Sequence, residues 1–152
     1  MSLTIDTTID AEKMGTITTR LTITNRLDQG LASRGVIQAD AVRSVTLENV
    51  IVDTGATTLC LPSDTIAALG LELLREVVAE TATGSTALRL YQDAKIFLLE
   101  REGTFECVEL PEGRDPLLGV VPLEMLGIEL DLQKQELRLL PMTPGHSYFL
   151  VY

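Results

Sequence analysis

Apolar and polar positions alternate along most of the chain, a pattern typical of β-strands that bury one face. Segments 16–24 and 41–53 are rich in β-branched residues and are predicted strands. The second ends in the continuous apolar run Val50-Ile51-Val52, which suits a strand buried on both faces. Residues 25–35 between them are polar and contain glycine, so they are predicted to form a connection.

The same alternation continues in the second half of the chain. Segments 71–79 and 87–99 predict a long hairpin with a mobile tip at 80–86. The β pattern goes on over 97–100, 105–110 and 116–121, with breaks at Glu102-Gly103 and Pro111-Glu112-Gly113. A last hairpin is predicted from 128–132 and 136–140.

Helical signals are few. Pro62-Ser63-Asp64 predicts the start of a short helix, with Ser63 or Asp64 as its cap and Gly70 at its end. Residues 123–126 predict one helical turn. The predicted fold class is therefore mainly β, small and compact, with one or two short helices.

Composition narrows the range of functions. The chain has 152 residues, which suits one domain, and a formal net charge of −10. Its few basic residues are scattered, so the sequence argues against nucleic-acid binding, which needs a clustered basic face. No apolar stretch is long enough to span a bilayer, and residues 1–13 lack the pattern of a signal peptide. We therefore expect a cytoplasmic protein that does not bind membranes, with Cys60 and Cys107 as buried free thiols.

The segment with most chemical content is Asp53-Thr54-Gly55-Ala56, directly after the apolar run. A carboxylate at this place is costly to bury unless other groups satisfy it. One interpretation is an aspartate that ends a strand and caps the next turn. A second apolar segment, Leu117-Leu118-Gly119, also ends in a small residue, and a glycine-containing hairpin lies between the two. This set favours an active site.

Together these residues resemble the retroviral-type (retropepsin-like) aspartic proteases, most of all their bacterial single-domain group. The matching segments are Val52-Asp53-Thr54-Gly55-Ala56-Thr57 through Leu61-Pro62, Leu69-Gly70-Leu71, and Leu117-Leu118-Gly119 with 123–126. The resemblance covers about residues 14–141. It implies a small closed β-barrel-like acid protease fold that is homodimeric, with 14–152 as the protease domain. Residues 1–13 are then an N-terminal extension, either a disordered segment or a functional arm.

The resemblance also implies roles for individual residues. Asp53 would be the catalytic carboxylate, Thr54 would hydrogen-bond across the dimer, and the Gly55 carbonyl would accept a hydrogen bond from the substrate backbone. Ala56 would line the cleft, and Leu118 and Gly119 would support the Asp53 loop. The flap that closes over substrate would consist of Thr81, Ala82, Thr83, Gly84, Ser85 and Thr86.

A reaction follows from this resemblance. Two Asp53 carboxylates, one from each subunit, would share one proton and activate a water that attacks the peptide bond, without a metal or organic cofactor. The partners would be a second copy of the chain and a peptide or protein substrate. The apolar tail 148–152 would contribute to the dimer. Retroviral enzymes commonly carry an Asp and an Arg that pair with each other where this chain has Thr57 and Val120.

Two other hypotheses stay open at the level of sequence. The chain could be a retropepsin-fold dimerisation or peptide-binding module that is catalytically weak or inactive, because a fold does not dictate a function. It could also be a plain β-barrel interaction domain, although Asp53 would then have no explanation. The intact Asp53-Thr54-Gly55 favours the enzyme.

Overall fold

The computed structural model describes residues 16–142 and Tyr148. The strands of this part are β1 (Ile17–Asn25), β2 (Ser44–Val52), β3 (Leu59–Pro62), β4 (Leu73–Thr81), β5 (Gly84–Leu98), β6 (Arg101–Leu110), β7 (Leu117–Leu118), β8 (Ile128–Asp131) and β9 (Glu136–Leu139). The helices are α1 (Arg26–Ser33), α2 (Ser63–Leu69) and α3 (Val120–Leu126), with a 3-10 turn at Ala39–Ala41. The expected extension 1–13 and the tail residues 149–152 lie outside the described residues.

Seven of the strands form one sheet in the order β1-β2-β7-β3-β6-β5-β4. Most neighbours are antiparallel, but β7 is parallel to β2, and β6 is parallel to β3. In addition, β1 pairs with β5 through Thr22↔Phe97 and the three positions that follow. Strands β8 and β9 form a separate hairpin. The short β7 therefore lies between β2 and β3, the two strands that flank the Asp53 turn.

The core lies between the inner faces of these strands and the buried sides of α2 and α3. The largest fully buried side chains are Leu21, Ile23, Val50, Leu59, Leu61, Leu69, Ile96, Leu98, Cys107, Leu118 and Pro122. In the apolar run before Asp53, Val50 and Val52 are buried, while Ile51 is half-buried. The prediction of a mainly β protein is confirmed.

The helix content is higher than the sequence analysis predicted, with three α-helices in the described part of the chain. Residues 26–33, predicted as a connection, form α1. The helix forms because the Asn25 side chain caps it and accepts a hydrogen bond from the Asp28 amide at 2.9 Å. The second helix has the predicted end at Gly70, which adopts φ 64°, but its cap is Pro62, without a side-chain hydrogen bond from Ser63 or Asp64.

Two turns lie at other positions than predicted. Glu102-Gly103 is inside β6, and the chain reverses at Leu99 and Glu100, which adopt φ 49° and 70°. The predicted tip 80–86 is mostly strand, because pairing of β4 with β5 extends to Thr81↔Gly84. In the segment 116–121 only β7 is extended, and α3 already begins at Val120 rather than at 123.

Candidate active site

The Asp53 turn is fixed by backbone hydrogen bonds to the neighbouring β7. The Asp53 amide donates to the Leu118 carbonyl at 3.0 Å, just beyond the parallel pair Val52↔Leu118. Within the turn, the Asp53 carboxylate accepts a hydrogen bond from the Gly55 amide at 2.8 Å, and the Ala56 amide donates to the Asp53 carbonyl at 3.1 Å. The half-buried carboxylate is thus held by its own turn at the end of a buried strand.

The first turn of α3 holds the other side of this loop. The amides of Val120 and Val121 donate to the carbonyls of Ala56 and Thr57, both at 2.9 Å. A Cβ on Gly119 would lie 2.5 Å from the Thr58 carbonyl oxygen and 2.6 Å from that of Ala56. The loop therefore packs so closely on Gly119 that no larger residue fits. The structure brings together the two segments that the sequence analysis paired.

Three residues of the turn differ in exposure. Thr54 and Gly55 are exposed, and Ala56 is half-buried. Within residues 16–142, the Thr54 hydroxyl makes no hydrogen bond. Leu118 is fully buried and pairs with Leu59 of β3 as well as with Val52 of β2, which places β7 beneath the turn.

The predicted flap residues form the tip of the β4–β5 hairpin. Ala82 and Thr83 make a two-residue turn, and Gly84 adopts φ 122°, a conformation that favours glycine. All six predicted flap positions are exposed: Thr81, Ala82, Thr83, Gly84, Ser85 and Thr86. No hydrogen bond or ion pair in the described part of the chain joins this tip to the Asp53 loop.

A family model described as aspartyl protease matches residues 41–121, just over half of the chain. The match includes the Asp53 turn, the hairpin and Gly119. The chain belongs to the retropepsin-like aspartyl protease family. Membership supports a peptidase-type function, and the mainly β structure is compatible with a protease domain. No curated protein matches the chain closely enough to serve as a relative.

Cys60 lies close to the Asp53 turn of this aspartyl protease domain. It is 8% exposed, and burial, with a smaller contribution from the Asp53 charge, raises the pKa of its thiol to about 11. Burial likewise raises the pKa of Cys107, which is fully buried. Both cysteines are free, as the sequence predicted, and both stay protonated at neutral pH.

A polar cluster at the far end of β1 and β2 was missed by the sequence analysis. The buried Asp28 binds Arg43 through two side-chain hydrogen bonds of 2.8 and 3.0 Å, and this guanidinium lowers the pKa of Asp28. The side-chain amide of Asn25 donates through Nδ2 to the carbonyls of Leu69 and Gly70 at the end of α2. The available signal was Asn25 at a helix N-cap position, but its α2 partners are more than forty residues away in sequence.

Of the helices in the described residues, none is long and apolar enough to cross a membrane.

Proposed function

We propose that this aspartyl protease is a homodimeric endopeptidase in which two Asp53 carboxylates, one from each subunit, activate the attacking water. The observation that carries the proposal is that, in a member of this family, backbone hydrogen bonds hold the Asp53 turn on both sides. The turn presents a half-buried carboxylate between β7 and the first turn of α3. Since the Asp53-Thr54-Gly55-Ala56 motif occurs once in the sequence, a two-fold axis must bring the second carboxylate into place.

In this reaction the two carboxylates share one proton, because like charges in contact cannot both ionise easily. The ionised member takes a proton from a water between them, and this water attacks the peptide carbonyl. The protonated member donates its proton to the carbonyl oxygen. As the C–N bond breaks, the carboxylate that took the proton from water donates it to the leaving nitrogen, and the other carboxylate takes back a proton from a hydroxyl of the tetrahedral intermediate. No metal or organic cofactor takes part.

The residues next to Asp53 position the pair of carboxylates and contact the substrate. The exposed Thr54 hydroxyl hydrogen-bonds across the two-fold axis, and the exposed Gly55 offers its carbonyl to substrate. Ala56 lines the cleft. Leu118 and Gly119 support the loop through the Leu118 carbonyl and the close packing on Gly119.

We further propose that the main sheet is a closed β-barrel and that residues 14–152 form the protease domain. The pairing of β1 with β5 supports closure, because it joins the first strand of the sheet to a strand near its other edge. Residues 1–13 are then an extension, and residues 148–152 contribute to the dimer.

The β4–β5 hairpin is proposed as the flap. Residues 81–86 are exposed at its tip. The two strands of the hairpin, β4 and β5, offer backbone groups that can pair with an extended substrate. Closure of this hairpin would exclude water from the dyad and complete the site.

A cleavage assay tests the proposed function. The parent and Asp53→Asn are incubated with a diverse peptide mixture from acid to neutral pH, and Asp64→Asn, an exposed carboxylate in α2, is the matched control. We expect cleavage by the parent and by Asp64→Asn, and none by Asp53→Asn. Equal inertness of the parent and Asp53→Asn, with a stable dimer, would instead support the binding module.

The module is favoured by one observation. The Asp and Arg that brace the loop in retroviral enzymes are absent here, where Thr57 and Val120 occupy their positions. The backbone contacts from Val120 and Val121 to the loop are the reason we prefer the enzyme.

A further inference from the structure

Arg101, at the start of β6, binds three backbone carbonyls from two separate parts of the chain. Its guanidinium donates to the carbonyls of Leu126 and Gly127, both at 2.8 Å, and also to that of Leu140. The first two acceptors are at the carboxyl end of α3, and the third follows β9. Hydrogen bonds from a charged donor are about twice as strong as neutral ones. Arg101 therefore joins β6 firmly to the end of α3 and to the residue that follows β9.

The end of α3 needs such a partner. The last carbonyls of a helix receive no hydrogen bond from within the helix, and they carry its partial negative charge. The last turn of α3 contains no basic residue of its own. Arg101 supplies the missing cation from β6, and the Leu140 amide also donates to the Gly127 carbonyl at 2.9 Å.

Tyr148 covers this junction. Its ring lies 5.9 Å from the Arg101 guanidinium carbon, in the range of a cation–π contact. A Cβ on Gly127 would lie 2.4 Å from the same ring, so Tyr148 packs directly on the end of α3. Its hydroxyl donates to the Pro141 carbonyl. Tyr148, the first residue of the apolar segment 148–152, is thus seated on Arg101.

The other end of α3 holds the Asp53 loop through the Val120 and Val121 amides. The helix has seven residues, and its length is only about 10 Å at the rise of an α-helix. Such a short helix moves as one body. A shift of its carboxyl end therefore changes the position of the two amides that hold the loop.

We propose that Arg101 is a positioning residue for Asp53, which couples the seating of Tyr148 to the geometry of the Asp53 loop through α3. The inference rests on the proposed function, in which the tail contributes to the dimer and Asp53 reacts. Under it, the loop is held in its reactive geometry when Tyr148 is seated on Arg101, so dimer assembly and active-site order are linked.

Amide hydrogen exchange at Val120 and Val121 tests the coupling without any need for activity. We compare the parent with Arg101→Met, Arg101→Lys and Tyr148→Leu, and with Arg138→Met as the control, because Arg138 forms an exposed ion pair within the β8–β9 hairpin. We expect exchange at both amides to rise about 10-fold in Arg101→Met, the size of a typical coupling between sites. Arg101→Lys and Tyr148→Leu should raise it less, and Arg138→Met should not.

The proposal is overturned if exchange rises at Gly127 and Leu140 but stays at the parent rate at Val120 and Val121, since Arg101 would then have a local role alone. If Arg101→Met does not fold, the Lys and Leu variants decide by the same criterion. On a cleaved peptide, we expect kcat to fall about 10-fold in Arg101→Met with KM little changed. A parent that cleaves nothing would refute the proposed function, while the exchange result would still decide the coupling.

Discussion

Gly119 is a site where the Asp53 loop leaves no room for a side chain. We expect Gly119→Ala to destabilise the protein by about 1–3 kcal/mol, because the added methyl group overlaps carbonyl oxygens of the loop at 2.5 and 2.6 Å. Peptidase activity should be lost at temperatures where the variant is folded. Thermal unfolding and a cleavage assay measure the two effects.

The control for this substitution is Gly30→Ala. A Cβ at Gly30, inside α1, would lie 3.2 Å from a terminal nitrogen of the Arg26 side chain, which can move away. Alanine also favours helix, so stability should stay equal or rise slightly. A folded, fully active Gly119→Ala protein would show that the loop does not depend on this contact.

Asp28 gives a prediction about pH. The hydrogen-bonded Arg43 guanidinium holds the folded pKa of Asp28 below the ordinary value of an aspartate, so its contribution to stability is present above that ordinary value and is lost as the pH falls through the folded pKa. Asp28→Asn should therefore cost about 1–3 kcal/mol at neutral pH. Its difference in unfolding free energy from the parent should shrink in strong acid. Chemical denaturation across the pH range measures this difference.

Arg43→Met provides the check on this interaction. Since Asp28 and Arg43 stabilise the fold through one shared contact, the double variant should lose less stability than the sum of the two single variants. Additive losses, or a difference between parent and Asp28→Asn that stays constant from neutral pH to acid, would show that the pair contributes little.

At the scale of elements, a change at the tip of the β4–β5 hairpin should affect activity more than stability. Gly84 adopts φ 122° at an exposed tip with open space around it. We expect Gly84→Ala to distort the tip and lower kcat/KM, because the flap would close less well, with little change in the unfolding temperature of the core. Peptide kinetics and thermal unfolding measure the two quantities.

Gly35 offers a matched control at another element. It also has a positive φ, 76°, and open space around it, but it follows α1, away from the proposed flap. Gly35→Ala introduces the same kind of backbone strain without touching the site, so its kcat/KM should equal that of the parent. Equal kinetics in Gly84→Ala would argue against the hairpin as a flap.

The sequence predicted the elements whose signals are local. Strand β1 and the end of α2 at Gly70 follow from periodicity and from one glycine, and the structure confirms both. Gly119 lies against the loop, while its supporting role stays a prediction from the family resemblance. These signals act within a few residues, or through a motif.

The features that were missed depend on distant contacts or on unusual backbone angles. Helix α1 carries a glycine in its interior, which lowers its helix propensity, and its cap residue Asn25 is tied to the end of α2 by tertiary contacts. The β5–β6 turn uses non-glycine residues, Leu99 and Glu100, with positive φ, whereas the sequence offered Gly103 as the more obvious break. Arg101 has carbonyl partners that no side-chain pattern reveals.

For the whole molecule, charge opposes association. Each chain carries a formal charge of −10, so two copies repel each other, and salt screens this repulsion. We expect the dimer to dissociate more readily at about 0.01 M salt than at about 0.5 M salt, and to tighten in mild acid. Sedimentation at several protein concentrations measures the dissociation constant. A constant that changes with neither salt nor pH would contradict the expectation.

The most direct test of the central claim is subunit mixing. A fixed amount of parent protein is titrated with Asp53→Asn under conditions that allow exchange of subunits, with Asp64→Asn as the control, and the rate of peptide cleavage is measured. If one Asp53 from each subunit is needed, random pairing leaves about half of the parent activity at equal amounts, and about a tenth at a ninefold excess. Asp64→Asn should cause no loss. A parent rate that is unchanged by excess Asp53→Asn would contradict the shared dyad.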